Sequence, residues 1–198
     1  MPDPLRYVAL GDSYTIGTSV SAAERWPDQL VRRLPGIELV ANLAVNGFTS
    51  GDVIDMELPR LPALRPELLT LLIGVNDVVQ RVPEAVYRGN VADILDALVA
   101  HVGAGRVVVV TTPDYTVTPA GADYGDPATQ SAAVRRNNAI NTELAEGRGI
   151  AVVDIHDVSP LAATDRSMVA NDGLHPSGAQ YALWVERIAP VVSGMLAR

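Results

Sequence analysis

A serine follows a short apolar run near the start of the chain, in the stretch Val8-Ala9-Leu10-Gly11-Asp12-Ser13. The apolar run is typical of a buried strand, and the Gly-Asp pair predicts that the strand ends there. In open parallel sheets, functional groups gather beyond the carboxyl ends of the strands. Ser13 is therefore a candidate nucleophile that needs a base and oxyanion donors. The alternative is that Ser13 only caps the following helix.

Asp172 and His175, near the other end of the chain, form a candidate base. Their spacing lets both side chains come from one turn, so that the carboxylate holds one ring nitrogen while the other nitrogen accepts a proton. An isolated Asp-x-x-His also occurs in surface loops. His156 follows the last predicted strand and competes as the base. His101 lies at a predicted helix end, where a histidine interacts with the helix dipole.

Candidate oxyanion donors follow the two neighbouring predicted strands. Asn76, in Gly74-Val75-Asn76-Asp77, offers a side-chain amide, and Gly47 offers a backbone N–H that a ligand can approach closely. The backbone N–H of Ser13 is a third donor. The alternative for Gly47 is a tight turn with positive φ, and the alternative for Asn76 is a helix cap.

The elements that must position these groups alternate between apolar runs and helical patterns. This alternation predicts a parallel sheet with right-handed crossovers and the strand order 2-1-3-4-5. Without a linker or an internal repeat, we expect one domain over residues 1–198. The predicted strands are Arg6–Leu10, Glu38–Asn42, Leu68–Ile73, Arg106–Thr111 and Ile150–Asp154.

The predicted helices are punctuated by proline and glycine. Thr112–Pro127 has no pattern and is expected to be a functional or mobile loop. A kink or an early break is expected at Pro190 in the last helix. The helices are Trp26–Leu34, a short one capped by Thr49 or Ser50 and stopped by Pro59, one from Pro83 to Gly103, Ala128–Glu146, and one beginning near Ser177.

Composition excludes several classes of function. The chain has 198 residues, a formal net charge of -8 and no cysteine. The acidic balance disfavours nucleic acid and anionic membranes as partners, and the lack of cysteine excludes thiolate catalysis. With no signal-peptide pattern and no apolar run of membrane-spanning length, we expect a cytoplasmic protein without integral membrane association. The spacing of Asp154, His156 and Asp157 matches no metal-ligand pattern, so no metal is expected.

The ordered set Gly11-Asp12-Ser13, Gly47, Gly74-x-Asn76-Asp77 and Asp172-x-x-His175-Pro176 resembles the four sequence blocks of the SGNH hydrolases, or GDSL lipase/esterase family. The resemblance implies Ser13 as nucleophile, His175 as base and Asp172 as its orienting carboxylate. It also implies oxyanion donation by Ser13, Gly47 and Asn76. The implied fold is a three-layer, flavodoxin-like α/β/α sandwich, and the implied reaction is hydrolysis of esters or thioesters without a cofactor.

The family resemblance leaves the substrate open among small-molecule acyl esters, lysophospholipids, thioesters and acetylated sugars. Tyr14 stands where the family's name motif has leucine, and Tyr115 and Tyr124 lie in the unpatterned loop, so we expect these tyrosines to line the substrate pocket. A carbohydrate O-deacetylase using the same site is one alternative. A non-enzymatic alternative is a flavodoxin-like module that binds a phosphate or flavin at the hydroxyl-rich loop 13–19.

Overall fold

A five-stranded parallel sheet in the order β2-β1-β3-β4-β5 organises the computed structural model, which describes residues 3–197. The predicted sheet and its order are confirmed, and each strand end lies within one residue of its predicted position. The strands are β1 (Leu5–Gly11), β2 (Ile37–Asn42), β3 (Leu68–Leu72), β4 (Val107–Val110) and β5 (Ala151–Val153).

Helices follow the strands along the chain. Within residues 3–197, none of these helices combines the length and apolar character needed to cross a bilayer. The helices are α1 (Ser13–Ile16), α2 (Trp26–Arg33), α3 (Ser50–Asp52), α4 (Leu61–Leu64), α5 (Val75–Val79), α6 (Glu84–Val102), α7 (Pro127–Glu146) and α8 (Gly178–Leu196).

Two hydrophobic layers cover the two faces of the sheet, and alternate strand residues supply them. In β1, Tyr7 and Ala9 enter the layer that contains residues of α2 and α8, whereas Val8 and Leu10 enter the layer that contains residues of α6. The four valines of β4 alternate in the same way. The predicted three-layer α/β/α architecture is therefore confirmed.

The structure contradicts the expected helix stop at Pro59 and one of the two alternatives expected at Pro190. Pro59 does not stop its helix: the chain remains helical from α3 through a π turn at Val53–Glu57 and a 3₁₀ turn at Leu58–Arg60 into α4. Pro59 lies at the start of the 3₁₀ turn, where a missing N–H removes no helical hydrogen bond. The early break considered at Pro190 does not occur either, since α8 continues to Leu196.

The long loop 112–127 contains local structure that its composition did not predict. It has 3₁₀ turns at Tyr115–Val117 and Gly121–Tyr124. The first turn is capped by Asp114, whose carboxylate accepts from the Thr116 N–H at 3.0 Å. Tyr115 is buried and packs edge-on against Tyr124, with ring centroids 5.9 Å apart. The loop therefore packs as an ordered wall.

Two glycines let the ends of β1 and β3 approach each other and α6 closely. Gly11 has φ +144, and a Cβ there would lie 2.1 Å from the carbonyl oxygen of Leu72. Gly74 has φ +128, and a Cβ would lie 2.4 Å from the Tyr87 hydroxyl. At both positions a Cβ would force a neighbouring atom to shift, and the positive φ would strain any residue that carries one. These glycines directly precede Asp12-Ser13 and Val75-Asn76.

Gly11→Ala should lower the free energy of unfolding by about 3 kcal/mol or more, because backbone strain and a clash with a carbonyl add together. Gly103→Ala is the matched control, since Gly103 has φ +78 but open space around its Cβ position. The control should cost only the strain, about 1–3 kcal/mol. Urea unfolding of both variants measures the difference, and equal losses would show that the close approach at Leu72 is unimportant.

Candidate active site

Ser13 is the first residue of α1, directly beyond the end of β1. Asp12 occupies the N-cap position, and its carboxyl oxygen accepts from the Tyr14 N–H at 3.0 Å. The capping role considered for Ser13 therefore belongs to Asp12. The Ser13 N–H lies in the first turn, where helix amides have no partner within the helix. Ser13 thus has both a hydroxyl and an amide available for chemistry.

Asp172 and His175 form one compact turn. The His175 Nδ1 and the Asp172 Oδ2 are 2.6 Å apart. The other oxygen, Oδ1, accepts from the Leu174 N–H at 2.9 Å and from the His175 N–H at 3.0 Å. A proton on Nδ1 is therefore held by the carboxylate, which leaves Nε2 as the acceptor nitrogen.

The Asp172 carboxylate remains ionised although it is partly buried. Burial opposes ionisation, but hydrogen bonds from Ser19, the Leu174 N–H and His175 outweigh it and hold the pKa of Asp172 well below its usual range. The Ser19 hydroxyl donates to Asp172 Oδ2 at 2.6 Å. A permanent negative charge therefore lies behind the imidazole at any pH at which a histidine can serve as base.

Asn76 and Asp77 connect α5 to the start of α3 and to the segment before it. The Asn76 Nδ2 donates to the Phe48 carbonyl at 2.9 Å, and the Asp77 carboxylate accepts from the Ser50 hydroxyl at 2.6 Å. Neither side chain serves as the cap of α5, because Gly74 occupies that position without a side-chain cap. The amide of Asn76 keeps a second N–H beyond the one given to Phe48. Asn76 can therefore brace the loop and still donate to a ligand.

One pocket brings most of the predicted residues together. It has a cavity volume of about 80 Å³. The Tyr14 ring lies beside the imidazole of His175, with centroids 5.7 Å apart. The lining residues are Ser13, Tyr14, Asn46, Val75, Asn76, Val79, Tyr115, Tyr124, Leu174 and His175.

Gly47 and the other histidines lie outside this lining. Gly47 is the third residue of the turn closed by the Phe48 N–H and the Val45 carbonyl, and its φ of +88 fits the tight turn considered for it. Its neighbour Asn46 reaches the pocket instead. His156 Nδ1 contacts the Thr112 carbonyl at 3.1 Å in a separate groove, and His101 is exposed in the last turn of α6.

Three polar residues at the site were not singled out for these roles from the sequence. Ser19 contacts Asp172, Ser50 contacts Asp77, and Glu57 contacts the backbone of Gly11. Ser19 belonged to the hydroxyl-rich loop noted for phosphate binding, and Ser50 was a candidate cap. Nothing in the local pattern around Glu57 indicates its role, because its partner is 46 positions away.

Two carboxyl groups are buried beside the end of β1, close to Ser13. Burial raises the pKa of Asp12 to about 8 and that of Glu57 to about 8. Glu57 Oε2 accepts from the Gly11 N–H at 3.1 Å. Within residues 3–197, Asp12 Oδ2 and Glu57 Oε1 find no hydrogen-bond partner. Burial therefore favours the protonated, neutral form of both groups.

A family model and one curated relative match the sequence. The model, described as the GDSL-like lipase/acylhydrolase family, matches residues 9–183, which confirms the resemblance identified from the sequence blocks. An arylesterase from Vibrio mimicus is 30% identical over 109 residues. That match covers 52% of this chain and 53% of the arylesterase, so the chain spans about half the length of this relative.

Solved structures share the fold over almost the whole chain. A lipolytic protein of the G-D-S-L family from Veillonella parvula superposes with a TM-score of 0.78 at 16% identity, over 95% of this chain and 98% of that one. An acetyl xylan esterase from Geobacillus stearothermophilus gives a TM-score of 0.75 at 16% identity, over 97% and 96%. At these identities the likeness is one of fold.

The buried acid Glu57 should make stability depend on pH. Its pKa is raised from 4.5 to about 8, so across that interval the folded chain binds more protons than the unfolded chain. The free energy of unfolding should therefore fall as the pH rises from about 4.5 to about 8. Glu57→Gln, neutral at every pH, should reduce that fall when urea unfolding is compared near the two ends of this interval, at about pH 5 and about pH 8.

Asp93→Asn is the matched control, because Asp93 is an exposed carboxylate on α6. It should leave the pH dependence of unfolding as in the parent protein. A Glu57→Gln variant with the parent's slope would show that Glu57 is ionised in the folded state.

Proposed function

The chain belongs to the GDSL-like lipase/acylhydrolase family, and from that membership we propose that it hydrolyses carboxylic esters or thioesters through an acyl-enzyme on Ser13. The observation that carries this proposal is the shared pocket of Ser13 and His175, with Asp172 bonded to the far side of the imidazole. A nucleophile, a base and an orienting carboxylate are the minimum set for serine acyl transfer.

Acylation begins at the Ser13 hydroxyl. Nε2 of His175 takes the hydroxyl proton as Oγ attacks the ester carbonyl, and the carbonyl oxygen becomes an oxyanion. When the tetrahedral intermediate collapses, the bond to the alcohol breaks and the imidazolium returns its proton to the leaving oxygen. In the second half, water attacks the acyl-serine with the same base, and the acid leaves. Asp172 keeps its charge throughout and stabilises the imidazolium.

Oxyanion stabilisation is assigned to the Ser13 N–H, the Asn76 side chain and the Gly47 N–H. The first two belong to residues that line the pocket, on helices that begin beyond adjacent strands. The Nε2 of Gln80, the residue directly after α5, donates to the Gly47 carbonyl at 3.0 Å. This hydrogen bond links the turn that contains Gly47 to α5 and so limits how far the three donors can move relative to one another. Electrostatic catalysis requires donors that are fixed in advance.

The dimensions of the pocket favour a short acyl group. The pocket measures about 80 Å³ and opens to solvent, so it surrounds only a small group next to the reacting carbonyl. Val75, Val79 and Leu174 supply an apolar lining, and Tyr115 and Tyr124 form the wall on the loop side. Acetyl to butyryl groups therefore fit better than lipid chains. Acetylated sugars also carry a short acyl group, so an O-deacetylase activity is compatible with the same pocket. It is tested by including an acetylated sugar among the ester substrates.

The phosphate- or flavin-binding alternative is disfavoured by charge. Its binding loop would be residues 13–19, whose last hydroxyl, that of Ser19, donates to the ionised Asp172. A carboxylate at that point repels a phosphate. The alternative also gives no role to the hydrogen bond between Asp172 and His175.

Ser13→Ala and His175→Ala should each lower kcat on a soluble acetate ester by about 10⁴-fold or more, because the nucleophile and its base act as one unit. In the parent enzyme, kcat/KM should rise with pH as the base loses its proton. His156→Ala should retain most of the activity and the same acidic limb. These variants are to be assayed across pH on one substrate, with circular dichroism to establish folding.

An active, folded His175→Ala beside an inactive His156→Ala would transfer the base to His156 and overturn the proposal. A Ser13→Ala variant with turnover near that of the parent would remove the acyl-enzyme on Ser13.

Tyr124→Ala should change the ranking of acyl chain lengths. Tyr124 is 43% exposed at the pocket wall, so truncation opens the cavity with little loss of core packing. The ratio of kcat/KM for hexanoate over acetate p-nitrophenyl esters should rise about tenfold, on the order of one to two additional buried methylenes. Leu161→Ala, equally exposed at 45% but outside the pocket, should leave the ratio unchanged. Equal losses on all chain lengths would show that Tyr124 is not a specificity wall.

A further inference from the structure

Ser19 contacts the candidate catalytic carboxylate from a distant part of the chain. Its hydroxyl donates to Asp172 Oδ2 at 2.6 Å across 153 positions of sequence. The other three hydrogen bonds to this carboxylate come from within the turn 172–175 itself. Among the described residues, Ser19 is therefore the one whose hydrogen bond links the Asp172 carboxylate to the part of the chain that carries Ser13.

The backbone of the Ser19 loop is held in a strained conformation and is tied to Ser13. Ser19 has φ +68, in the left-handed region that costs a residue with a Cβ about 1–2 kcal/mol. The N–H groups of Gly17 and Thr18 both donate to the Ser13 carbonyl at 3.0 Å. One end of this loop is therefore bonded to the nucleophile's own carbonyl, and its other end to the carboxylate behind the base.

We propose that Ser19 is a positioning residue for ester hydrolysis that acts through Asp172. It fixes the carboxylate relative to Ser13, and its hydroxyl and His175 both bind the negatively charged Oδ2 of that carboxylate. This inference rests on the proposed function of Ser13, Asp172 and His175. It explains why a strained serine is held where glycine would be relaxed.

The shared oxygen gives Ser19 a specific electrostatic effect. Oδ2 of Asp172 accepts both from Ser19 and from the imidazole, so the two donors divide its charge. Without the hydroxyl, more of that charge acts on the imidazolium and stabilises it. The base is then freed only at higher pH, and its ring is held less firmly. Because Ser19 is exposed, water replaces part of the lost bond, so the effect is moderate.

Other titratable groups face this turn. Tyr14 of α1 lies beside His175, and Tyr115 and Tyr124 reach it from the loop wall. Burial raises the pKa of Tyr14 well above its usual range and that of Tyr115 to about 12. Tyr181 of α8 senses the charge of Asp172, and burial raises its pKa strongly as well. Tyr14, Tyr115 and Tyr181 are therefore neutral over the acidic limb.

The buried Asp12 precedes the nucleophile and has a pKa of about 8. It is present in the parent and in every variant proposed here. A difference between their pH profiles therefore isolates the removal of the hydroxyl.

The test is the pH profile of kcat/KM for Ser19→Ala and Ser19→Gly on a soluble short-chain ester. Both should move the midpoint of the acidic limb upward by about 0.5 pH unit and lower kcat about 3- to 10-fold, as expected for a partly exposed hydrogen bond to a charged group. Ser19→Gly relieves the backbone strain, so its thermal midpoint should equal or exceed that of the parent.

Ser21→Ala is the matched control, since the Ser21 hydroxyl donates to the exposed Glu24 carboxylate at 2.6 Å in the same segment. It should leave the limb in place. An unmoved limb in both Ser19 variants, or an equal shift in Ser21→Ala, would overturn the inference.

A double-mutant cycle with Asp172→Asn separates this inference from the proposed function. If Ser19 acts through Asp172, Ser19→Ala should have no further effect on kcat/KM in the Asp172→Asn background. Additive losses would overturn the role of Ser19 alone. A fully active Asp172→Asn would instead overturn the proposed function of the turn.

Discussion

The close approach between the carboxyl ends of β1 and β3 is the constraint on which the site depends. The space beside the Leu72 carbonyl admits only a hydrogen at Gly11, and the Tyr87 hydroxyl imposes the same limit on Gly74. Because Gly11 and Gly74 lack a Cβ, α1 and α5 can begin side by side. Ser13 and Asn76 are brought to one pocket by this backbone contact, and no direct bond between their side chains is needed.

That close approach buries backbone polar groups at the end of β1, and Glu57 supplies a hydrogen-bond partner for one of them. The Gly11 N–H donates to the Glu57 carboxyl, which the π turn Val53–Glu57 brings beneath the end of β1. π turns are infrequent and recur near functional sites. The neighbouring acid Asp12 caps α1 from the same buried region. Two ionised carboxylates there would repel each other without water to screen them, and protonation avoids that repulsion.

The sequence predicted what local patterns determine. Runs such as Val107–Val110 are apolar on both faces, so the strands and their order followed from periodicity and chain connectivity. The turn 172–175 was accessible for the same reason, since all its internal bonds are local. Pro59 was misjudged because a proline stops an α-helix but begins a 3₁₀ turn without loss. The roles of Ser19 and Glu57 were not predicted, because contacts between residues far apart in sequence leave no periodic pattern.

The proposed acyl transfer needs Ser13 and His175 held within a few tenths of an ångström, yet the two residues lie on segments far apart in sequence. The turn 172–175 orients His175 internally, but an internally rigid turn can still move as a body relative to α1. The Tyr14 ring limits that movement, because it packs against both His175 and Trp184 of α8. Such packing prevents the turn from moving closer to α1 but opposes sideways movement less. A directional bond at 2.6 Å from Ser19 resists sliding. The two contacts are therefore complementary: one fixes the distance between the turn and α1, and the other fixes their register.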